Sequence, residues 1–377
     1  MADSAPVTYA PSEEHDLIRS TARQFLAERL GMERVRELMM SEEGFAPVIW
    51  KEMADMGWAG LAIAEDHGGA GFGPVEMSVL LEEMGRVVTP GPFFASAVLA
   101  TTAIQEVATE EQCADLLPSL ASGQRIATLA IFEKAHDWNP DAPSTAATRT
   151  DDGWRIDGSK RAVLSGETAD TILVNAATDD GVGLFVVDRD APGVQIEPEP
   201  VLDLTRRQAT TKFDSVTVKD RARLGDGDAA PGLERALSVA RLALAAEQVG
   251  GAQECMEMSV EYAKTRHQFG RPIGSFQAIK HRCANMLMKV EHARSAAYYA
   301  ARVTHDPDEL ALAAPLAAAV ASDAYVWVAG ETIQVHGGIG FTWEHDAHVY
   351  LKRAKASSLL FGGPGYQRDL LGRAIGI

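Results

Sequence analysis

The sequence predicts an α+β chain in three parts. These are an N-terminal α-helical domain over residues 1–123, a middle β-barrel or β-sandwich domain over 124–228, and a C-terminal four-helix bundle over 229–377. Three observations predict it. A length of 377 residues exceeds what one hydrophobic core usually serves, so the chain divides. Hydrophobic spacing is helical as far as Gln124, turns to short β-rich runs, and is helical again from Pro231. Glycine, proline and aspartate cluster where the spacing changes.

The elements follow in order. Glu13 to Met40 carries Leu17, Ala22, Phe25, Leu26, Leu30, Val35 and Leu38 at helical intervals, and Pro47 to Met56 is a second, short helix. His67 to Gly73 (HGGAGFG) is a loop, and Pro74 suits the first turn of a helix that runs to Arg86. Helical spacing resumes in GPFFASAVLATTAIQEVA, and Gln112 to Leu120 closes the region. The runs ATLAIF, GWRIDGSKRAVL, TILVNA, GLFVVD, GVQIEP and TTKFDSVTV alternate with turns such as DDG and APG, the rhythm of an antiparallel sandwich or barrel. ATRTDDGWRIDGSK reads as a hairpin. Four helices then follow: Glu234 to Thr265, Gln277 to Thr304, Pro307 to His336 and Asp346 to Phe361. A β domain between two helical ones places a site in the crevice where they meet.

Composition narrows the function. Thirty-five basic residues against 53 acidic give a net charge of −18, which repels a phosphate backbone and argues against nucleic acid. No run of about 18 uncharged apolar residues appears, so membrane insertion is not expected. The start MADSAPVTYAPSEEHD has neither the basic nor the apolar stretch of an export signal. Three widely spaced cysteines, Cys113, Cys255 and Cys283, make no disulfide framework and fit a reducing, cytoplasmic setting.

The charge is uneven. From Glu261 to Arg294 seven basic residues face only Glu261 and Glu291, a net +5. One reading is a solvated helix face. The other is a phosphate-bearing ligand, because arginine beside a glycine-punctuated helix boundary offers fork donors and free backbone N–H groups. VHGGIG (Val335 to Gly340) is a second such boundary, without the strand and spacing of a dinucleotide-binding glycine motif. His345, Asp346 and His348 in EHDAH are too short a pattern to adopt as a metal site, and no metal is expected.

TRHQFGRPIGSFQAIKH (Thr265 to His281) and QVHGGIGFTWEHD (Gln334 to Asp346), with the looser AIAEDHGGAGFG, resemble the acyl-CoA dehydrogenases in content, order and separation. The resemblance covers essentially the whole chain. It implies FAD at a dimer interface, an acyl-CoA thioester as substrate, electron-transfer flavoprotein as acceptor, and a tetramer. By resemblance, Arg266, Gln268 and Phe269 of the first motif, and Gln334, Gly337 and Gly338 of the second, contact the diphosphate and adenine side of a neighbouring subunit's FAD. Phe93 and Phe94 are expected to wall the acyl pocket, with Arg241 also toward substrate.

The implied reaction is α,β-dehydrogenation, which needs a carboxylate to remove the α-proton of a weakly acidic thioester. The family's usual glutamate position near the C-terminus is Phe361 here. The alternative position early in the long helix is Ala240. Glu247, seven residues on and on the same helical face, is the candidate base, expected to be desolvated among Ala243, Leu244, Gly250 and Gly251. The alternative for Glu247 is a carboxylate that merely pairs with an arginine or with solvent at a subunit contact. The flavin-ring side also departs: Phe132 and Lys134 flank Glu133 where the family has threonine and proline, and Leu164 stands at a threonine position. An intact clamp beside an eroded ring cradle points to one subunit of a heteromeric enzyme, such as those working on steroid side-chain CoA esters. The alternatives are a self-sufficient homotetramer, a flavin-dependent monooxygenase or oxidase on the same fold, and a non-catalytic FAD-clamping chain.

Overall fold

The structure is a computed structural model that describes residues 12–134 and 138–377. Before the sheet come α1 (Glu13–Arg29), α2 (Met32–Met40), α3 (Pro47–Asp55), α4 (Pro74–Arg86), a π-helical stretch Phe94–Ala100 that runs into α5 (Thr101–Val107), and α6 (Glu110–Ala121). The single helix expected over 13–40 is therefore two, divided at Leu30 and Gly31. Ser12 caps α1 and Thr109 caps α6, each in a reciprocal capping box.

Eight strands follow: β1 (Ala127–Ala130), β2 (Ala146–Thr150), β3 (Gly153–Leu164), β4 (Thr171–Thr178), β5 (Gly181–Asp188), β6 (Val194–Pro198), β7 (Gln208–Val218) and β8 (Arg223–Leu224). They form one sheet in the order β6-β7-β3-β2-β4-β5-β8, with β1 added on β4. The predicted hairpin is β2–β3, with Thr150 opposite Gly153. A wholly antiparallel sheet is not what forms: β1 and β2 both run parallel to β4. Ile172, Val174, Phe185, Val187, Trp154, Ile156, Phe213 and Val216 make the core of its packed face.

The last third is α7 (Ala230–Thr265), a two-strand hairpin of β9 (His267–Gln268) and β10 (Arg271–Pro272), α8 (Gln277–Arg302), α9 (Pro307–His336), a 3-10 turn Gly337–Phe341, α10 (Ala347–Ser357) and α11 (Pro364–Ala374). The sequence reading missed α11, which starts at Pro364 after the Gly362–Gly363 break. α9 has the length and apolarity of a membrane span, but 61% of its most apolar window is buried in the chain. That is the mark of a core helix.

Two compact units result. One comprises residues 1–36, 74–89 and 241–377; the other comprises 37–73 and 90–240. In the first, α4 and α7 approach without side chains between them. A methyl group on Gly85 would meet the Glu247 carbonyl oxygen at 1.9 Å, and one on Gly250 would meet that of Glu82 at 1.8 Å. Around this contact run ion pairs: Glu83 takes two hydrogen bonds from Arg23, at 2.9 and 2.8 Å, Arg86 pairs with Glu254 at 2.7 Å, and Glu82 accepts from Tyr298 at 2.8 Å. In the second unit, Trp50 donates to the Gly123 carbonyl at 2.9 Å and so ties α3 to the end of α6.

Candidate functional site

The two glycine-bounded motifs lie side by side at one end of the first unit. α7 ends at Thr265, and Arg266 Nα still donates to the Tyr262 carbonyl. Phe269 and Gly270 then take positive φ, +56° and +81°, to turn β9 into β10. α9 ends at His336, where Gly337 with φ +65° reverses the chain. The Tyr262 and His336 rings stack with centroids 4.3 Å apart, which joins the two motifs. The sequence signal for this contact is weak: Tyr262 precedes Arg266 by one helical turn.

Arg266, Gln268, Phe269, Gln334, Gly337 and Gly338 are all exposed. Phe269 is 89% exposed, and a methyl added to Gly337 or Gly338 would touch nothing within 4 Å. An exposed phenyl ring, a guanidinium and uncrowded glycine backbone are surface and donors for an adenine and a diphosphate, although the Gly337 N–H itself is held by the Ile333 carbonyl. These residues therefore fit that end of an FAD molecule.

The basic stretch is less of a seam than its sequence suggests. Lys264 pairs with Glu261 at 2.5 Å, Arg282 with Glu331, and Arg294 with Glu82 and Glu291. Lys289 lies over the Trp327 ring. Arg282 and Lys289 of α8 both turn to α9, and Lys264 and Arg294 are paired with carboxylates, so much of the +5 is engaged within the chain. Arg266 and Arg271 stay exposed at the hairpin, with Arg271 over Phe276 at 4.2 Å.

The positions expected for a base are apolar and closed. Phe361 is 1% exposed, in the left-handed region at φ +57°. Gln367 Nε2 donates to its carbonyl at 2.6 Å and to that of Gly362 at 3.0 Å. Ala240 is fully buried. Glu247 is buried as expected, but its surroundings need correction. Arg353 of α10, itself 2% exposed, donates to Glu247 Oε1 at 2.9 Å and to the Val88 and Thr89 carbonyls at 3.2 and 3.0 Å. The guanidinium and the buried carboxylate form an internal ion pair. The sequence interval of 106 residues hides this partner.

Arg241 is buried at 2% exposure in the first unit. Phe93 and Phe94 are buried in the second, at the start of the π-helical stretch, with Arg206 over the Phe94 ring at 5.2 Å. Stretches of π-helix recur at functional sites.

On the ring side, Leu164 is buried, and its carbonyl accepts from Thr128 Oγ1 at 2.5 Å. Phe132 packs edge-on against Trp138 at 4.4 Å. Residues 135–137 of that segment lie outside the described residues. Between Phe132 and Lys134, Glu133 does structural work that the sequence reading overlooked. It accepts from Lys160 Nζ at 2.7 Å and from the Ser144 and Thr145 amides at 2.6 and 2.8 Å. The fully buried Lys160 also donates to Asn175 Oδ1 at 2.6 Å. Burial alone raises the Glu133 carboxyl, but these hydrogen bonds and the Lys160 charge bring it down to about 2. Burial pulls Lys160 down to about 8 against the opposing effect of Glu133. Both are charged at neutral pH.

His345, Asp346 and His348 meet Arg36, which donates to Asp346 at 2.9 Å and to the His345 carbonyl at 2.9 Å, and lies 3.5 Å from His348 Nε2.

Comparison with known proteins agrees along the chain. Family models match residues 12–124 (acyl-CoA dehydrogenase, N-terminal domain), 128–216 (middle domain) and 232–376 (C-terminal domain). Acyl-CoA dehydrogenase IpdE2 of Mycolicibacterium smegmatis is 36% identical over 359 residues, 94% of this chain and 97% of that protein. Among solved structures, a variant of the Tcur3481–Tcur3483 steroid ACAD superposes with TM-score 0.88 at 35% identity, over 96% of this chain and 98% of that one. The ChsE4–ChsE5 complex of Mycobacterium tuberculosis superposes with TM-score 0.89 at 30% identity, over 98% and 99%. Butyryl-CoA dehydrogenase of Megasphaera elsdenii gives TM-score 0.90 at 25% identity, over 98% and 100%. The neighbours share one fold, and with three matching domains this chain belongs to the acyl-CoA dehydrogenase family.

Proposed function

We propose that this chain is the FAD-clamping subunit of a heteromeric acyl-CoA dehydrogenase. The observation that carries the reading is the closure of both base positions by buried Phe361 and Ala240, while Arg266, Gln268, Phe269, Gln334, Gly337 and Gly338 stand open to a ligand. Glu247, held by Arg353, serves as an internal ion pair. The α-proton is then taken by a carboxylate of a second, related chain.

FAD, when bound, supplies the acceptor for the hydride that leaves the substrate β-carbon. This chain's part is to hold. Arg266 neutralises diphosphate charge, Phe269 offers its face to the adenine, and the backbone at Gly337 and Gly338 lets a phosphate approach. Gln268 and Gln334 supply amide donors. Buried Phe93 and Phe94 give the second unit an apolar wall for an acyl group, and Arg241 carries charge toward the thioester side. Electrons pass on to an electron-transferring flavoprotein. A bulky, steroid-type CoA ester is the proposed substrate, supported by the likeness to the steroid ACAD.

The test is expression of the chain alone and together with its genomic neighbour. The expected result is a colourless, inactive chain alone, and a yellow complex with one FAD per two chains that is bleached by substrate. A yellow chain active by itself, with one FAD each, overturns the heteromer. Oxygen uptake with a hydroxylated product in place of dehydrogenation overturns the chemistry.

A further inference from the structure

The turn between the two motifs rests on rings that titrate. His336 closes α9 at 5% exposure. Its Nδ1 lies 2.8 Å from the Thr332 carbonyl, so Nδ1 carries the proton of the neutral ring and donates it there. Tyr262 stacks on this ring at 4.3 Å with 29° between the planes, and the His345 ring stands 4.3 Å from it. The Gly337–Phe341 turn packs directly on this group: a methyl added to Gly340 would meet His336 Cβ at 2.9 Å.

Charged groups reach the rings from α2, α7 and α10, and the segment between the turn and α10 adds the exposed carboxylate of Glu344. From α2 comes Arg36, bonded to the His345 carbonyl at 2.9 Å. From α10 come His348, packed edge-on against Trp343 at 4.6 Å, and Lys352, lying 4.2 Å over the Trp343 ring. Asp346 is the carboxylate next to them, and Arg36 already engages it at 2.9 Å. α7 contributes Tyr262, with Arg266 one turn on. Burial, with His345 nearby, holds His336 below the ordinary imidazole value of 6.5. Burial also lowers His345, helped by Arg36 and opposed by Asp346. Burial, Lys352 and Arg36 do the same for His348.

We propose that Tyr262, His336 and His345 form a pH-responsive prop for the Gly337–Phe341 turn, a positioning element that presents the turn's backbone to the flavin diphosphate when neutral and lets it go when protonated. The physical cause is like-charge repulsion. Two imidazolium rings 4.3 Å apart, with Arg36 on the His345 carbonyl, repel each other, while Asp346 is already engaged by Arg36 and Glu344 is exposed to solvent. The sign follows from the lowered values: the rings stay neutral at and above the ordinary range, and the prop is lost as the pH falls below it. The proposal deepens the flavin reading of the turn and rests on it, so the turn and the flavin are read separately.

The flavin-loaded protein, with its partner chain if it needs one, is compared at about pH 7.5 and about pH 5.5. Amide exchange of residues 337–341, corrected for intrinsic rate, is expected to rise about tenfold at the lower pH, with flavin dissociation rising in step. His345→Gln removes one charge and is expected to move both changes to lower pH. Tyr262→Leu removes the stacking ring and is expected to leave the turn exchanging freely at both pH values. Equal exchange at the two pH values in the parent, or an unchanged pH response in His345→Gln, overturns the prop. If exchange rises while flavin stays bound, the prop stands and the flavin reading of the turn falls.

Discussion

Glu247 shows how one neighbour decides the chemistry of a carboxylate. Its sequence surroundings are small and apolar, with no charged partner among them. Its spatial surroundings include Arg353 at 2.9 Å, which engages it as an ion pair. Glu247→Gln in the complex should therefore leave substrate-dependent flavin bleaching intact while lowering the melting temperature. Lost bleaching with flavin retained would restore the base role. Lys160 and Glu133 pose a similar question in the sheet. Lys160→Met leaves Glu133 poorly paired in a largely enclosed site, and the expected loss is about 3 kcal/mol by denaturant unfolding. The Glu133 carboxyl lies at about 2, against an ordinary 4.5. Its stabilisation is present above about pH 4.5 and lost as pH falls toward 2. Acid unfolding of the parent should show that loss, and Lys160→Met should show less of it. Neither partner was legible from sequence, because both pairs join residues well separated in the chain.

At the level of elements, most of the secondary structure was legible. α4 and α9 begin and end where Pro74, Arg86, Pro307 and His336 predict, because proline at the first turn of both, and glycine beyond the last turn of α9, are local signals. The two parallel pairings of β4 were not, because they depend on which distant segment lies alongside; α11 does carry the local signal, Pro364 at its first turn. The α4–α7 contact gives the sharpest element-scale prediction. Gly250→Ala places a methyl 1.8 Å from the Glu82 carbonyl oxygen. The helices must separate, at an expected cost of about 2 kcal/mol. Gly338→Ala, where a methyl meets nothing, should leave the melting temperature of the flavin-free chain nearly unchanged and weaken flavin retention. The bracket at α10 can be measured by a double-mutant cycle. Arg353→Met strands the buried Glu247, at a cost of about 3–5 kcal/mol. Combining it with Glu247→Gln should recover about half of that, since the two side chains share one interaction.

At the level of the molecule, the net charge of −18 and the local +5 between Glu261 and Arg294 are reconciled by geometry. Most of those basic side chains are engaged within the chain, and Arg266 and Arg271 remain exposed at the hairpin beside the Gly337–Phe341 turn. If they meet a diphosphate, Arg266→Ala should release flavin and reduce the salt dependence of its retention, while Lys264→Ala, already paired with Glu261, should do little of either. The sequence by itself determined the family, the helix–β–helix order and the absence of a carboxylate at positions 240 and 361, because these depend on residue identity and local spacing. Only the tertiary structure decided that Glu247 pairs with Arg353, that much of the basic stretch is engaged within the chain, and that the Tyr262 ring at the end of α7 stacks on His336 at the end of α9. Those outcomes turn on which side chains come within a few ångströms across long intervals of chain, and Coulomb and packing energies are set by that distance rather than by order in the sequence.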